Sequence, residues 1–279
     1  MKIVRRPYQA ELDLSPREQP KLAQIGYVPT AMIYATMPYN KTTKLEVKRT
    51  VCGMNISIIN RSDIGLPYGK FPRLIAPYLA KEAKRTGDRL ISLGTSRRNF
   101  VERLGLKHGC GPRGNTTRVC EQAVRLLTCR ITVIGDLFGK MCWRDISLAE
   151  SAVFWADDGV TRTWPSHVML TEAFFHACIE HSVPVDTDVL HDLQSARAID
   201  IYTWATWRCN AIRKPTPVSW DMLREQFGGV DGFDRLRDFR AEFEVQLANV
   251  REKYPDLCAN VNDTGLVLFP SRPHITRKE

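Results

Sequence analysis

Hydrophobic positions fall into a readable order only after about residue 30. Met1 to Pro29 is rich in proline and charge without periodicity, and reads as an N-terminal arm, 1–29. From Ala31 to Asn60 the β-branched and aromatic runs AMIYATMPY, KLEVKRTV and MNISIIN, separated by turn formers, predict two or three strands. Pro72 to Thr86 then switches to helical spacing, with Leu74, Ile75, Tyr78, Leu79 and Ala83 on one side and Pro77 placed to kink it. A short strand, Arg89 to Leu93, is followed by a helix that Thr95 or Ser96 can cap, which turns Phe100, Val101 and Leu104 inward and ends at Gly105. Past the loop LKHGCGPRGN, Asn115 or Thr116 can cap a further helix with the apolar stripe Val119, Ala123, Leu126 and Leu127. Ile131 to Ile134 and Met141 to Leu148 then form a hairpin with Lys140 near its tip.

Helix, strand, helix, turn, helix, hairpin is the order of a winged helix, and the pattern recurs. His167 to Ser182 and Ser195 to Arg213 read as helices, the second heavy with Ile199, Tyr202, Trp204 and Trp207. Ser219 caps a short helix carrying Met222, Leu223 and Phe227, Gly228-Gly229 breaks it, and a long helix spans Gly232 to Tyr254. Its stripe is Leu236, Phe239, Phe243, Leu247 and Val250. LCANV and GLVLF, joined by Asn262 to Gly265, make a closing hairpin. The expected class is α+β, with two tandem winged-helix domains at 30–160 and 161–279.

Charge adds a direction. The net charge of +9 is uneven: Arg61 to Asp145 holds 17 Lys/Arg against 7 Asp/Glu, whereas Ile146 to Ile212 holds 3 against 9. A concentrated basic region suits phosphate neutralisation with counterion release, and its bland alternative is a solvated face. Arg118, Gln122 and Arg125 are spaced i, i+4, i+7, which puts them on one helix side, expected to project from the core toward DNA. Arg235, Arg237 and Arg240 crowd the first half of the last long helix, the part that recognition helices commonly present to a major groove. Arg97, Arg98, Arg113, Asn115, Thr116, Thr117, Lys140, Arg224 and Arg272 complete the candidate DNA-contacting set.

Other chemistry finds little footing. No run approaches the eighteen or so apolar residues of a spanning helix, and MKIVRRPYQAELDL turns acidic before a signal-peptide core develops, so a cytoplasmic protein is expected. Eight cysteines without a CxxC pair read as buried thiols in a reducing compartment. His176, Cys178, Glu180 and His181 match no zinc spacing; GCGPRG lacks the Lys-Ser/Thr of a nucleotide loop; a G-x-S-x-G elbow is absent; Asp157-Asp158 reads as a turn. The sequence therefore predicts neither an enzyme nor a cofactor, metal or membrane partner.

The segments LPYGKFPRLIAPYLAKEAKRTGDRLISLGTS, RGNTTRVCEQAVRLL, SARAIDIYTWATWR, VSWDMLREQFG, LRDFRAEFEVQLANVREKYP and GLVLFPSRP occur in order over about Leu66 to Pro273. In this the chain resembles the RepA-type plasmid replication initiators. The resemblance implies specific binding of double-stranded DNA at repeated origin sites and DNA contact through the helices Thr116 to Thr128 and Gly232 onward. It also implies recruitment of host replication proteins, such as an initiator and a helicase, with repression of its own gene as a related activity. A winged-helix transcriptional repressor without a replication role is the alternative, and a module using winged helices for protein contacts is a third reading. The family further implies a monomer–dimer equilibrium, for which an unpaired strand edge between Ala31 and Asn60 is the physical candidate for homodimer pairing.

Overall fold

The computed structural model describes residues 24–109, 111, 114–137, 140–153, 166–230 and 232–275, with side chains omitted over 136–144. Strand β1 (Ile25–Pro29) leads into the one-turn helix α1 (Thr30–Tyr34), and β2 (Glu46–Val51) and β3 (Met54–Ile59) follow. Two expectations change here. The last residues of the expected arm are a strand, and AMIY is helical because one turn suffices to bury Met32 and Ile33, a demand that overrides β-propensity. Helix α2 (Pro72–Thr86) starts on a proline, as its missing N–H allows, and stops at Gly87, whose φ of 67° is left-handed. Then come β4 (Leu90–Gly94) and α3 (Arg97–Arg103), capped by Ser96, which accepts from the Asn99 N–H.

Helix α4 (Asn115–Thr128) begins after Gly114, so neither Asn115 nor Thr116 caps it. Strands β5 (Arg130–Leu137), β6 (Lys140–Ser147), β7 (Ala149–Val153) and β8 (Ser166–Leu170) precede α5 (Glu172–Glu180). The stretch expected as one helix from His167 is thus a strand and a helix, divided where the Thr171 side chain accepts from the Phe174 N–H as an N-cap. The second half holds β9 (Ser182–Asp186), α6 (Thr187–Asp192), α7 (Ala196–Ala211), β10 (Thr216–Ser219), α8 (Trp220–Phe227), α9 (Leu236–Lys253), β11 (Ala259–Asn262) and β12 (Gly265–Leu268).

The same arrangement occurs twice. In one three-stranded sheet the order is β4-β8-β7, in another β10-β12-β11. Each time the strand between the first two helices of a unit pairs with the last strand of its hairpin. The helices are α2, α3 and α4 in the first unit and α7, α8 and α9 in the second. Because β8 completes the first sheet, the expected break between 160 and 161 falls inside that unit. The β5–β6 hairpin, expected as the first wing, instead extends β2–β3 into a four-stranded antiparallel sheet, β2-β3-β5-β6. The register explains why: Ile58 lies opposite Ile131, and Ile131 opposite Ile146, so all three buried isoleucines share one face.

The two units share one continuous hydrophobic core, running from Val28 to Leu268. Their first helices are joined by a buried ion pair. Arg73 on α2 donates to both carboxylate oxygens of Asp200 on α7 at 2.7 Å, and its remaining N–H groups reach the carbonyls of Met37 (2.6 Å) and Gly69 (2.7 Å). Tyr39 lies between two guanidinium groups, Arg73 at 5.0 Å and Arg197 at 4.5 Å from its ring centre. Arg197 then reaches Glu242 on α9 at 2.8 Å. Removing one partner of such a pair strands a buried charge, so Asp200→Ala is expected to cost about 3–5 kcal/mol. The double change Arg73→Met with Asp200→Leu should recover much of that loss. Urea unfolding of the three proteins checks both expectations.

Candidate nucleic-acid interface

The face of α4 expected to project outward turns inward in its lower half. Gln122 is only 3% exposed, and its side-chain oxygen accepts from the Tyr68 N–H at 2.8 Å. Arg125 is largely covered; it donates to the Leu66 carbonyl at 3.2 Å, pairs with Glu121 at 2.9 Å and lies over the Tyr68 ring. These two side chains satisfy the backbone of residues 66–68, a segment far away in sequence. Arg118 differs: it is exposed, with its guanidinium over the Phe71 ring at 4.8 Å.

At the start of α4 the polar residues hold the preceding loop. Asn115 donates to the Lys107 carbonyl at 3.0 Å, Thr116 bonds His108 Nδ1 at 2.9 Å, and Thr117 donates to the Gly111 carbonyl at 2.9 Å. On α3, Arg98 pairs with Glu102 at 2.7 Å on the surface. Arg97 is half-buried, and its positive charge partly offsets the effect of burial on the Cys120 thiol of α4. Arg113 and the Lys140 side chain lie outside the described residues; the Lys140 backbone belongs to the four-stranded sheet, away from the hairpin that closes the first unit.

In the second unit the arginines separate into two roles. Arg235, just before α9, and Arg237 in its first turn are 71% and 79% exposed, and both touch Asp238, at 3.3 and 3.4 Å. Surface pairs of this kind are weak, so both guanidiniums are available to an anion. Arg240 is not: it donates to the Asp263 carbonyl in the β11–β12 turn at 3.0 Å and stacks over Trp220 at 5.0 Å. Arg224 on α8 pairs with Asp221 at 3.3 Å. Arg272 lies in the tail after β12, where its carbonyl accepts from the Tyr254 hydroxyl at 2.6 Å. Trp220 is the residue of this arrangement that the sequence leaves unmarked. The turn signature Asn-Asp-Thr-Gly pointed to the hairpin, but nothing local marked Trp220 as its anchor.

Three of the described cysteines are held as thiols by burial. Burial pushes the Cys120 thiol up to about 11, against the opposing charge of Arg97, and pushes Cys129 and Cys178 up to about 12, so all three stay protonated near neutral pH. Among the described residues no group of three His, Cys, Asp or Glu side chains is placed to hold a metal ion. Also among them, no helix is long and apolar enough to cross a membrane.

A mixed α and β protein with two matching units, each placing a polar or arginine-bearing helix start beside a three-stranded sheet, is the class that this geometry defines. The model of the family described as plasmid-encoded RepA protein matches residues 66–222, and the chain belongs to that plasmid replication initiator family. The match ends within α8, so α9 and its arginines lie beyond it. Among solved structures the chain is similar to a crystal structure of domains 2 and 3 of RctB, with a TM-score of 0.55 and 12% identity over 88% of this chain and 99% of that one. No curated protein sequence matches significantly.

Two substitutions separate support from contact. Gln122→Ala should lower stability by about 1–3 kcal/mol, since it leaves the Tyr68 N–H unpaired. Arg237→Ala, on an exposed side chain, should shift stability by less than about 0.5 kcal/mol. Thermal unfolding of both variants reads the difference.

Proposed function

We propose that this protein initiates plasmid replication by binding repeated origin sequences in double-stranded DNA and recruiting host replication proteins, with no chemistry of its own. Both units are read as winged helices, with α4 and α9 as recognition helices and the β7–β8 and β11–β12 hairpins as wings. The observation that carries this reading is the duplicated strand order, combined with two exposed arginines at the start of α9. Arg118, exposed on α4, is the corresponding cation of the first unit. The family supports an initiator over a repressor acting on transcription alone. Sheet edges at β2 and β6 are the surfaces through which a homodimer would pair.

Band-shift titrations on a duplex carrying the plasmid's origin repeats, run over a salt series, test the DNA reading. Affinity is expected to exceed that for random duplex and to fall linearly with salt on logarithmic axes, with a slope of about −0.9 per phosphate neutralised. Binding that ignores salt, or fails altogether, removes the case for direct DNA contact. Supplying the protein in trans to an origin plasmid lacking its gene should restore maintenance; failure there, with DNA binding intact, would favour the repressor.

A further inference from the structure

The β11–β12 turn is held from inside by three consecutive carbonyls. That of Asn262 accepts from the Trp220 indole N–H at 3.1 Å, that of Asp263 from Arg240 Nη2 at 3.0 Å, and that of Thr264 from the Trp220 backbone N–H at 3.2 Å. The Asn262 side-chain oxygen closes the same turn by accepting from the Thr264 N–H (3.0 Å), the Thr264 hydroxyl (2.8 Å) and the Gly265 N–H (2.9 Å). Gly265 completes the device: its φ is 155°, and a Cβ there would sit 2.0 Å from the Val218 carbonyl oxygen. Trp220 itself is 3% exposed and packs edge-on against Phe239 and Phe243 of α9. Helix start and turn are thus one rigid body, with Trp220 at its centre and Arg240 across its top.

Arg240 is placed for this task and poorly placed for reaching outward. Its Nε is buried without a hydrogen-bond partner, its guanidinium carbon lies over the indole at 5.0 Å, and extending it would give up both that contact and the Asp263 carbonyl. The hairpin 259–268 contains no Lys or Arg, so it has no cation of its own with which to settle on a phosphate. A wing of this composition depends on being held in place before DNA arrives, because a turn that must be ordered on binding subtracts that entropy from affinity.

We propose that Arg240 is a positioning residue for DNA binding: it touches no DNA, and by pinning the Asn262–Thr264 turn to the start of α9 it makes helix and wing a single preorganised surface. This rests on the DNA reading above. Arg235 and Arg237 remain the groups that meet DNA directly.

The test uses the full chain and an origin-repeat duplex, with fluorescence anisotropy over a salt series and hydroxyl-radical footprinting. Arg240→Met keeps the aliphatic bulk over Trp220 and removes the donor; Arg240→Lys restores a charged donor; Trp220→Phe removes the indole N–H to the same turn. Arg240→Met should weaken binding roughly tenfold, the scale of one lost charge-assisted hydrogen bond, with the salt slope unchanged. By contrast, Arg237→Ala should reduce that slope by about 1 if it neutralises a phosphate. Arg240→Lys should recover part of the affinity. Trp220→Phe should lose protection at the same flanking nucleotides as Arg240→Met, and combining the two should cost less than their sum. A salt slope reduced by about 1 in Arg240→Met, with the wing footprint kept, would make Arg240 a direct phosphate contact and overturn the proposal. So would wild-type affinity in Arg240→Met. Should that variant fail to fold, Arg240→Lys and Trp220→Phe carry the same comparison. Absence of binding by the wild-type chain is a separate result, which removes the DNA reading and the positioning role with it.

Discussion

The ion pair between Arg73 and Asp200 is the constraint on which the rest of the molecule depends. It sits where the first helices of the two units meet, away from solvent, in a place where an unpaired charge would be untenable. It stands because Arg73 is saturated: the carboxylate takes two N–H groups in parallel, and carbonyls from the 37–38 segment and Gly69 take the others. The neighbouring phenol of Tyr39 is held neutral; burial and the Asp200 charge push its pKa up, against the pull of Arg73, Arg197 and Arg49. From Tyr39 the contacts pass through Arg197 to Glu242, so the placement of α9 is tied to that of α2 by a continuous run of charged and aromatic groups.

Much of the local structure could be read from residue order, and the reasons are local too. Helix α2 has the predicted bounds because Pro72 opens it and Gly87 closes it. Ser219 caps its helix as expected, Ser96 is the one of the two candidates Thr95 and Ser96 that caps α3, and the last hairpin turns at Asn262 to Gly265. The failures share a different cause. Spacing showed that Gln122 and Arg125 lie on one side of α4, but not that the 66–68 backbone would lie against that side. The partner strand of β5 was likewise set by β3, which lies on the far side of α2, α3 and α4 in sequence.

Arginine is used here in three distinct ways, and residue type alone separates none of them. Arg73 holds the two units together, Arg240 fastens a turn to a helix, and Arg237 stands in solvent. The count of 40 Lys and Arg therefore overstates the cations available to a polyanion, since some of them are engaged inside the fold. What the charge map did locate is the neighbourhood of α3 and α4, where Arg118 and Arg98 remain at the surface.

The pairing of β1 with β9 bears on how the chain comes into being. Thr30 bonds the His181 carbonyl through both its backbone N–H and its hydroxyl, across 151 positions of sequence, and Ile25–Pro29 lies in register with Ser182–Asp186. During synthesis on the ribosome, β1 lacks its pairing partner until β9 has emerged. All the strands of the first unit are complete before that moment, so this unit waits with β1 unpaired until β9, which precedes α7 and the rest of the second unit, has been made. A nascent chain interrupted before Ser182 would expose that strand to whatever edge it meets, its own or another molecule's, which makes the order of translation part of the folding problem for this protein.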